Sequence, residues 1–423
     1  MTPQDTIWTR TARVAFCTDG KLTHRVEVAV IGAGFTGLTA ARELTLSGRS
    51  VAVFDAGPLG AGASGMNAGF VVPNFAKADP TTVRARLGGR ADALLRLIGA
   101  GACNVFDTIA KEGITCDAAQ TGWLNPAHGA AAAEMLRARA RLWSDMGRPV
   151  RFLSPGETAE QTGMDIYSGA LLDEEGGTIH PLDYLRGLAR AVQRRGGTVH
   201  EGQPVQRIEK AASGWTLHLP DGMVQAGTVL LCTNAFTDGA ASRLGRSAVP
   251  LRVYQLATAP LDAKTVARIA PDRRPVGDTR QNLFTYRLDR NNRLVSGGMA
   301  AVPLGAKARL GRAVVERLAH ELRLPFVPEV EVVWTGTAAM TPDFLPRIHQ
   351  LGDGFFAGIG CNGRGIAMTA QLGGVLARAA MGEDPAALPV PLRKLRPLPF
   401  HRFTPVVASL ALVQARLKDR FAA

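Results

Sequence analysis

Long apolar runs are missing from this chain. No uninterrupted apolar segment approaches the roughly 20 residues that a membrane-spanning helix requires, and the opening "MTPQDTIWTRTARVAF" interleaves polar and apolar residues where a leader would set basic residues before a sustained apolar run. A cytoplasmic protein is the expectation. Cysteine is also scarce: Cys17, Cys103, Cys116, Cys232 and Cys361 are scattered with no CxxC pair. An odd number without paired spacing suits a reducing compartment better than a disulfide framework. Neither these cysteines nor the eight histidines show metal-ligand spacing, so no metal is expected. Internal repeats are absent too, and no Ser-His-Asp or paired-carboxylate arrangement suggests itself.

What is present points to a large globular protein. With 423 residues and 46% hydrophobic content, the chain can bury an extensive core and divide into two or more folding units. Its formal charge of +13 could attract nucleic acid, an anionic membrane surface or acidic substrates. Most of the excess is arginine spread along helical stretches such as "RARARLW" and "LARAVQRR", which read as solvated faces. The tail is different. "PVPLRKLRPLPFHRF" is basic and proline-rich, and Val406, Leu410, Val413 and Leu417 then recur at helical spacing beside Arg416, Lys418 and Arg420. Such a helix would pack on the protein or lie on a membrane surface.

Strands and helices alternate along the chain. "VEVAVIG" reads as a buried parallel strand, "TGLTAARELTLSG" as a helix closed by Gly48, and "SVAVFDAG" as the next strand. Further helices are expected from about Pro80 to Lys111, in "HGAAAAEMLRARARLWSDMG" and from Pro181, and a meander turns at Asp221 and Gly222. Residues from about Pro250 to Val333 are strand-rich.

Gly32, Gly34 and Gly37 fit GxGxxG between the first strand and its helix, where glycine allows a tight turn, backbone approach to a pyrophosphate and close helix–strand packing. Phosphate would face the partial positive charge of the helix N-terminus. Asp55 ends the second strand eighteen residues past Gly37, where a carboxylate would accept hydrogen bonds from a ribose diol. A dinucleotide is therefore expected. The small-residue run from Ala56 to Phe70 favours a broad flat group such as a flavin over the nicotinamide of NAD.

"VAVIGAGFTGLTAARE", "GAGASGMNAGF", "GGTIHPLDYLRGLARA", "VLLCTNAF" and "GCNGRGIAMT", in this order, resemble the D-amino acid oxidase-like FAD-dependent oxidoreductases. Within them the branch holding gamma-glutamylputrescine oxidase, glycine oxidase and sarcosine oxidase is nearest. The resemblance runs from about Val26 to Gly382 and implies an α/β fold: a Rossmann-like FAD-binding domain of discontinuous segments (26–100, 176–245, 334–395) and a substrate domain with a large mixed β-sheet (101–175, 246–333). Residues 396–423 would form the basic C-terminal amphipathic helix. The flavin would meet Gly32, Gly34, Phe35, Thr36, Gly37, Asp55, Ala56, Ala63, Ser64, Asn67, Ala68, Gly69, Val205, Thr233, Asn234, Gly360, Asn362, Gly363, Arg364, Gly365 and Ile366.

In such a fold the late glycine run brings a second helix N-terminus, beginning near Gly363, to the flavin's pyrimidine edge, where negative charge develops on reduction. Arg364 stands where relatives often carry histidine and would add a positive charge there. Relatives with covalent flavin carry a cysteine shortly before a "TPD" triplet, where this chain has Gly336, or a histidine in the loop after the second strand, where it has "SGMNAG". FAD is thus expected to bind non-covalently.

The resemblance implies oxidation of an amine or amino acid to an imine by hydride transfer to flavin N5, followed by imine hydrolysis and reoxidation by oxygen. A dehydrogenase passing electrons to quinone or a carrier is the rival, and an RNA-binding flavoprotein of tRNA-modification type is the alternative from another class, although no RNA module is recognisable. Substrate contacts are expected from "LRVYQLATAPL", with Arg252 as anion clamp and Tyr254 pocket-lining beside Leu256, and from Tyr286 in "LFTYRLDRNNRLVSGG". Adjacent Tyr286 and Arg287 must point to opposite faces of their strand. Trp334 borders the ring or anchors the core, and His180 reads as the start of a helix.

Overall fold

A computed structural model describes residues 4–236, 242–300, 302, 304–404, 409 and 412–414. Two eight-stranded sheets organise them. The first runs Arg347–Gly352, Phe355–Ile359, Gly222–Leu231, Arg25–Ile31, Val51–Phe54 and Thr198–His200, with strand Trp215–Leu219 added beside Gly222–Leu231 and Arg207–Lys210 beside Trp215–Leu219. Its centre is parallel: Ala29 pairs with Ala52 on one side and Val229 on the other, and Val229 pairs onward with Phe355. The centre is buried on both faces, which is why "VEVAVI" is almost continuously apolar. The expected meander turn forms, with Leu219 opposite Gly222.

The second sheet runs Val330–Met340, Val249–Pro260, Arg293–Gly298, Thr285–Leu288, Val276–Gly277, Trp123–Pro126, Ala170–Asp173 and Val150–Leu153. Its pairs are antiparallel except for Val276 beside Leu124, so it is mixed, as expected. Strand Val330–Met340 continues past residue 334, so the second sheet keeps this segment up to the turn at Thr341.

Helices Phe35–Leu46, Pro181–Arg194 and Gly365–Ala380 pack on the first sheet's main core. Ala263–Ile269 and Ala306–Glu321 cover the second sheet's outer face, where Leu124, Ile269, Tyr286, Leu294 and Leu318 share a core. The helix expected from Pro80 to Lys111 is broken into Pro80–Leu87, a 3₁₀ turn Gly88–Arg90, Ala91–Gly99 and Gly101–Glu112. Glycines stand at each interruption, and their backbone freedom weakens helix continuity there. Among the described residues no single helix is long and apolar enough to cross a membrane.

The basic tail docks on the protein at its start: Leu398 N–H donates to the Arg246 carbonyl at 2.7 Å, and a His401 ring nitrogen lies 3.0 Å from the Ala248 carbonyl. Of the expected amphipathic positions only Val413, which is exposed, is among the described residues. Val406, Leu410, Arg416, Leu417, Lys418 and Arg420 lie outside them.

Candidate active site

The central parallel strands end at Ile31, Phe54 and Leu231, and these three residues line one cleft. Ligands of open α/β sheets bind beyond the carboxyl ends of strands. Gly32, Gly34, Phe35 and Thr36 form its floor, with Asp55, Ala56, Ala63, Ser64, Asn67, Val205, Thr233, Asn234 and Gly365 around it. The glycines are required by geometry. A Cβ on Gly37 would lie 1.9 Å from the Gly32 carbonyl oxygen, and one on Gly32 would lie 2.8 Å from that of Cys232. No larger residue fits either place without moving backbone.

Helix Phe35–Leu46 starts at Gly34 without a cap from that residue, and Ser64 Oγ accepts the Phe35 N–H at 3.0 Å. Asp55 accepts the N–H groups of Ala33 at 2.8 Å and Gly57 at 3.0 Å, so its carboxylate also shapes the loop. Burial raises its pKa against those two bonds, and Glu201 adds to the rise. Two cleft side chains, Thr233 through Oγ1 and Gln203 through Oε1, are buried with no hydrogen-bond partner. Orphaned polar atoms on residues that line a cleft are the groups a polar ligand satisfies. Glycine cradle, buried acid and orphaned acceptors together fit a dinucleotide such as FAD.

Two thiols, Cys232 and Cys361, also line the cleft. Burial pushes the Cys232 thiol up to about 12 and raises that of Cys361, so both stay protonated at neutral pH and are poor nucleophiles.

The loop Met66–Gly69 is tied from three sides. Trp334 donates through Nε1 to the Met66 carbonyl at 2.9 Å, Trp8 to that of Asn67 at 2.8 Å, and Arg287 to those of Gly69 and Ile179 at 3.0 and 2.8 Å. Trp334 is thus a core anchor. The Asn67 side chain is spent on this loop, donating to Ser64 O and accepting from Gly69 N–H. Trp8 belongs to an N-terminal strap, helix Ile7–Thr11, edge-on to His180 and Trp334. Sequence reasoning missed this strap, and no local motif signals it.

The late glycine run forms as expected, with helix Gly365–Ala380 starting at Arg364. Gly360, Asn362 and Gly363 all have positive φ. Asn362 is a staple: its side chain accepts from Thr341 N–H at 2.8 Å and donates to the Gly360 carbonyl at 3.0 Å. Ile366 is buried in the main core. Arg364 is not among the residues that line the cleft. Its guanidinium carbon lies 5.1 Å from the centre of the Trp123 ring, on the second sheet.

The three substrate residues expected on that sheet are on its other face. Tyr286 is fully buried, donating between the carbonyls of Thr162 and Ile269 in the outer core. Tyr254 pairs with Gly298, whose side faces Leu310 and Val314 of helix Ala306–Glu321. Arg252, two residues before Tyr254, shares that face and is exposed. Alternation therefore turns their neighbours toward the first sheet, Arg287 instead of Tyr286 and Gln255 instead of Tyr254. Arg287 is spent on loop carbonyls, and burial lowers its pKa to about 10. Gln255 keeps a buried Oε1 without partner.

Comparison with known proteins fits this geometry. Residues 27–379 match the family described as DAO, FAD dependent oxidoreductase. The chain belongs to this family. Gamma-glutamylputrescine oxidoreductase of Escherichia coli is 29% identical over 365 residues, 84% of each chain. Glycine oxidase of Geobacillus kaustophilus is 26% identical over 367 residues, 83% of this chain and 92% of its own. The crystal structure of glycine oxidase from Geobacillus kaustophilus superposes with a TM-score of 0.71 at 22% identity, over 86% of this chain and 96% of that one. L-Proline dehydrogenase from P. horikoshii shares the fold with a TM-score of 0.72 at 18% identity, over 87% and 96%. The protein is an FAD-dependent oxidoreductase of amine or amino-acid oxidase type.

Proposed function

We propose that this enzyme oxidises the carbon–nitrogen bond of a small amine or amino acid, using FAD held non-covalently in the cleft beyond Ile31, Phe54 and Leu231. The observation that carries the reading is this cleft, a glycine cradle ending the parallel strands beside orphaned Thr233 and Gln203. When bound, FAD supplies the hydride acceptor, and the imine product hydrolyses in water. The first helix N-terminus and Ser64 would hold its phosphates and Asp55 its ribose side, while the loop Met66–Gly69 is kept rigid by Trp8, Arg287 and Trp334. Cys232 and Cys361, both protonated, support non-covalent binding. Molecular oxygen is the proposed final acceptor.

The test is the visible spectrum of the purified protein, followed anaerobically as amines are added. Bleaching of the flavin band by one amine class, with recovery on admitting air, is the expected result. A bound flavin that no amine bleaches would overturn the amine assignment. Bleaching without recovery in air would replace oxygen by another electron acceptor.

A further inference from the structure

We propose that the docked start of the basic tail, residues 391–403, and Arg246 beside it form a surface that binds anionic phospholipid membranes. Its cations draw it to the headgroups, and Phe400 and Phe403 enter the interface. None of these residues lines the cofactor cleft, so the inference stands apart from the amine reading.

The segment is fixed to the protein through its backbone. Beside the edge strand Arg347–Gly352, Ile348 N–H donates to the Pro391 carbonyl at 3.2 Å and Arg393 N–H to that of Ile348 at 2.9 Å, while His349 Nδ1 lies 2.6 Å from the Arg393 carbonyl. Leu398 and His401 complete the attachment at Arg246 and Ala248. Pro391, Pro397 and Pro399 fix φ along the way, so little chain entropy remains to be lost on binding. Side chains then divide by character. Leu392 and Leu395 pack against the cores of the first sheet, whereas Arg393, Lys394, Arg396 and Arg402 are exposed. Among the described residues these four cations form no ion pair, and in the sequence no acid stands between Asp384 and Asp419.

Two rings stand out among these charges. Phe400 is 79% exposed and Phe403 49%, the most exposed phenylalanines among the described residues. Phe400 also holds a φ of 52°, costly for a bulky side chain, so backbone strain and exposed apolar area meet at one residue. A pocket of about 360 Å³ adjoins the tail, lined by Ser242, Arg246, Ala248, Pro250 and His401 among others. A headgroup phosphate there would accept from the Arg246 guanidinium and the Ser242 hydroxyl. A nucleic-acid duplex would match the cations but leave both rings in water, and a second copy of this chain, itself at +13, would be repelled. An anionic lipid surface accepts cations and rings together.

Co-sedimentation tests this with the flavin-loaded full chain, using vesicles of phosphatidylcholine alone and of phosphatidylcholine mixed with phosphatidylglycerol. Binding about tenfold or more tighter to the anionic vesicles, weakening as salt rises, is expected. Each basic residue at such a surface strengthens binding about fivefold, so Arg393→Gln, Lys394→Gln and Arg396→Gln combined should weaken it about a hundredfold and Arg246→Gln about fivefold. Phe400→Ser with Phe403→Ser should lose about tenfold or more. All of these side chains are exposed, so flavin content and thermal midpoint should match wild type. Equal binding to neutral and anionic vesicles, or binding that neither the triple nor the double variant weakens, would overturn the proposal. So would retention on single-stranded RNA in place of vesicles, or self-association that Phe400→Ser abolishes while vesicles go unbound. Thermal stabilisation by inorganic phosphate without vesicle binding would make the pocket a site for a soluble anion and overturn it as well.

Discussion

Two glycine-rich segments each open a helix in this molecule, yet they need glycine for different reasons. Around Gly32–Gly37 the absent side chains are filled by the protein's own backbone, strand against helix, down to 1.9 Å. Around Gly363 and Gly365 the space is open: a Cβ on either would meet no atom within 4 Å, and Gly363 is constrained by its φ of 79°, while one on Gly360 at the start of the run would meet Thr341 Cγ2 at 2.9 Å. The first segment is a packing joint. The second is a turn, stapled by Asn362, that delivers a charged side chain to the opposite sheet. The same letters in a sequence can thus encode contact in one place and backbone direction in another.

Substitution separates the two. Gly37→Ala should have the largest effect, because the new Cβ must displace the Gly32 carbonyl; a cost of about 3 kcal/mol or more and a purified protein nearly devoid of flavin absorbance are expected. A fully loaded, equally stable variant would refute the joint. Asn362→Ala should come next, at about 2 kcal/mol in denaturant unfolding, since it strands the buried Thr341 N–H. Gly363→Ala should cost only about 1 kcal/mol, the left-handed penalty alone. A loss in the flavin-free protein as large as that of Gly37→Ala would erase the distinction between the two segments.

The first segment was legible because strand, glycine spacing, helix and Asp55 are contiguous and each supports the others. The inner face of the second sheet was not. Alternation says that Tyr286 and Arg287 point apart but not which of them meets the first sheet, and that is decided by helix Ala306–Glu321, which shares a core with Tyr286 and packs over Gly298, the partner of Tyr254. Arg364 was legible as a position, while its direction depends on Trp123, a partner far away in sequence. The Trp8 strap was invisible for the same reason: its partners Asn67, His180 and Trp334 lie in three other parts of the chain.

A third helix start sharpens the contrast. Helix Pro181–Arg194 is capped by its own residue, His180, whose Nδ1 accepts the Asp183 N–H at 3.1 Å while Nε2 faces Thr11 Oγ1 of the strap at 3.1 Å. A helix N-terminus closed in this way is structural, and its cost is written in pH. Burial lowers the His180 pKa from its ordinary 6.5; Asp183 and Asp117 oppose the shift, and Arg287 and Arg13 add to it. With the folded-state value below the unfolded one, the unfolded chain takes up a proton first as pH falls, so stability is lost below about pH 6.5, by at most about 1.4 kcal/mol per pH unit. His180→Asn keeps a good cap and removes the titration. Its thermal midpoint should therefore fall less between pH 7 and pH 5 than that of the wild type, and parallel profiles would show that His180 titrates alike in both states.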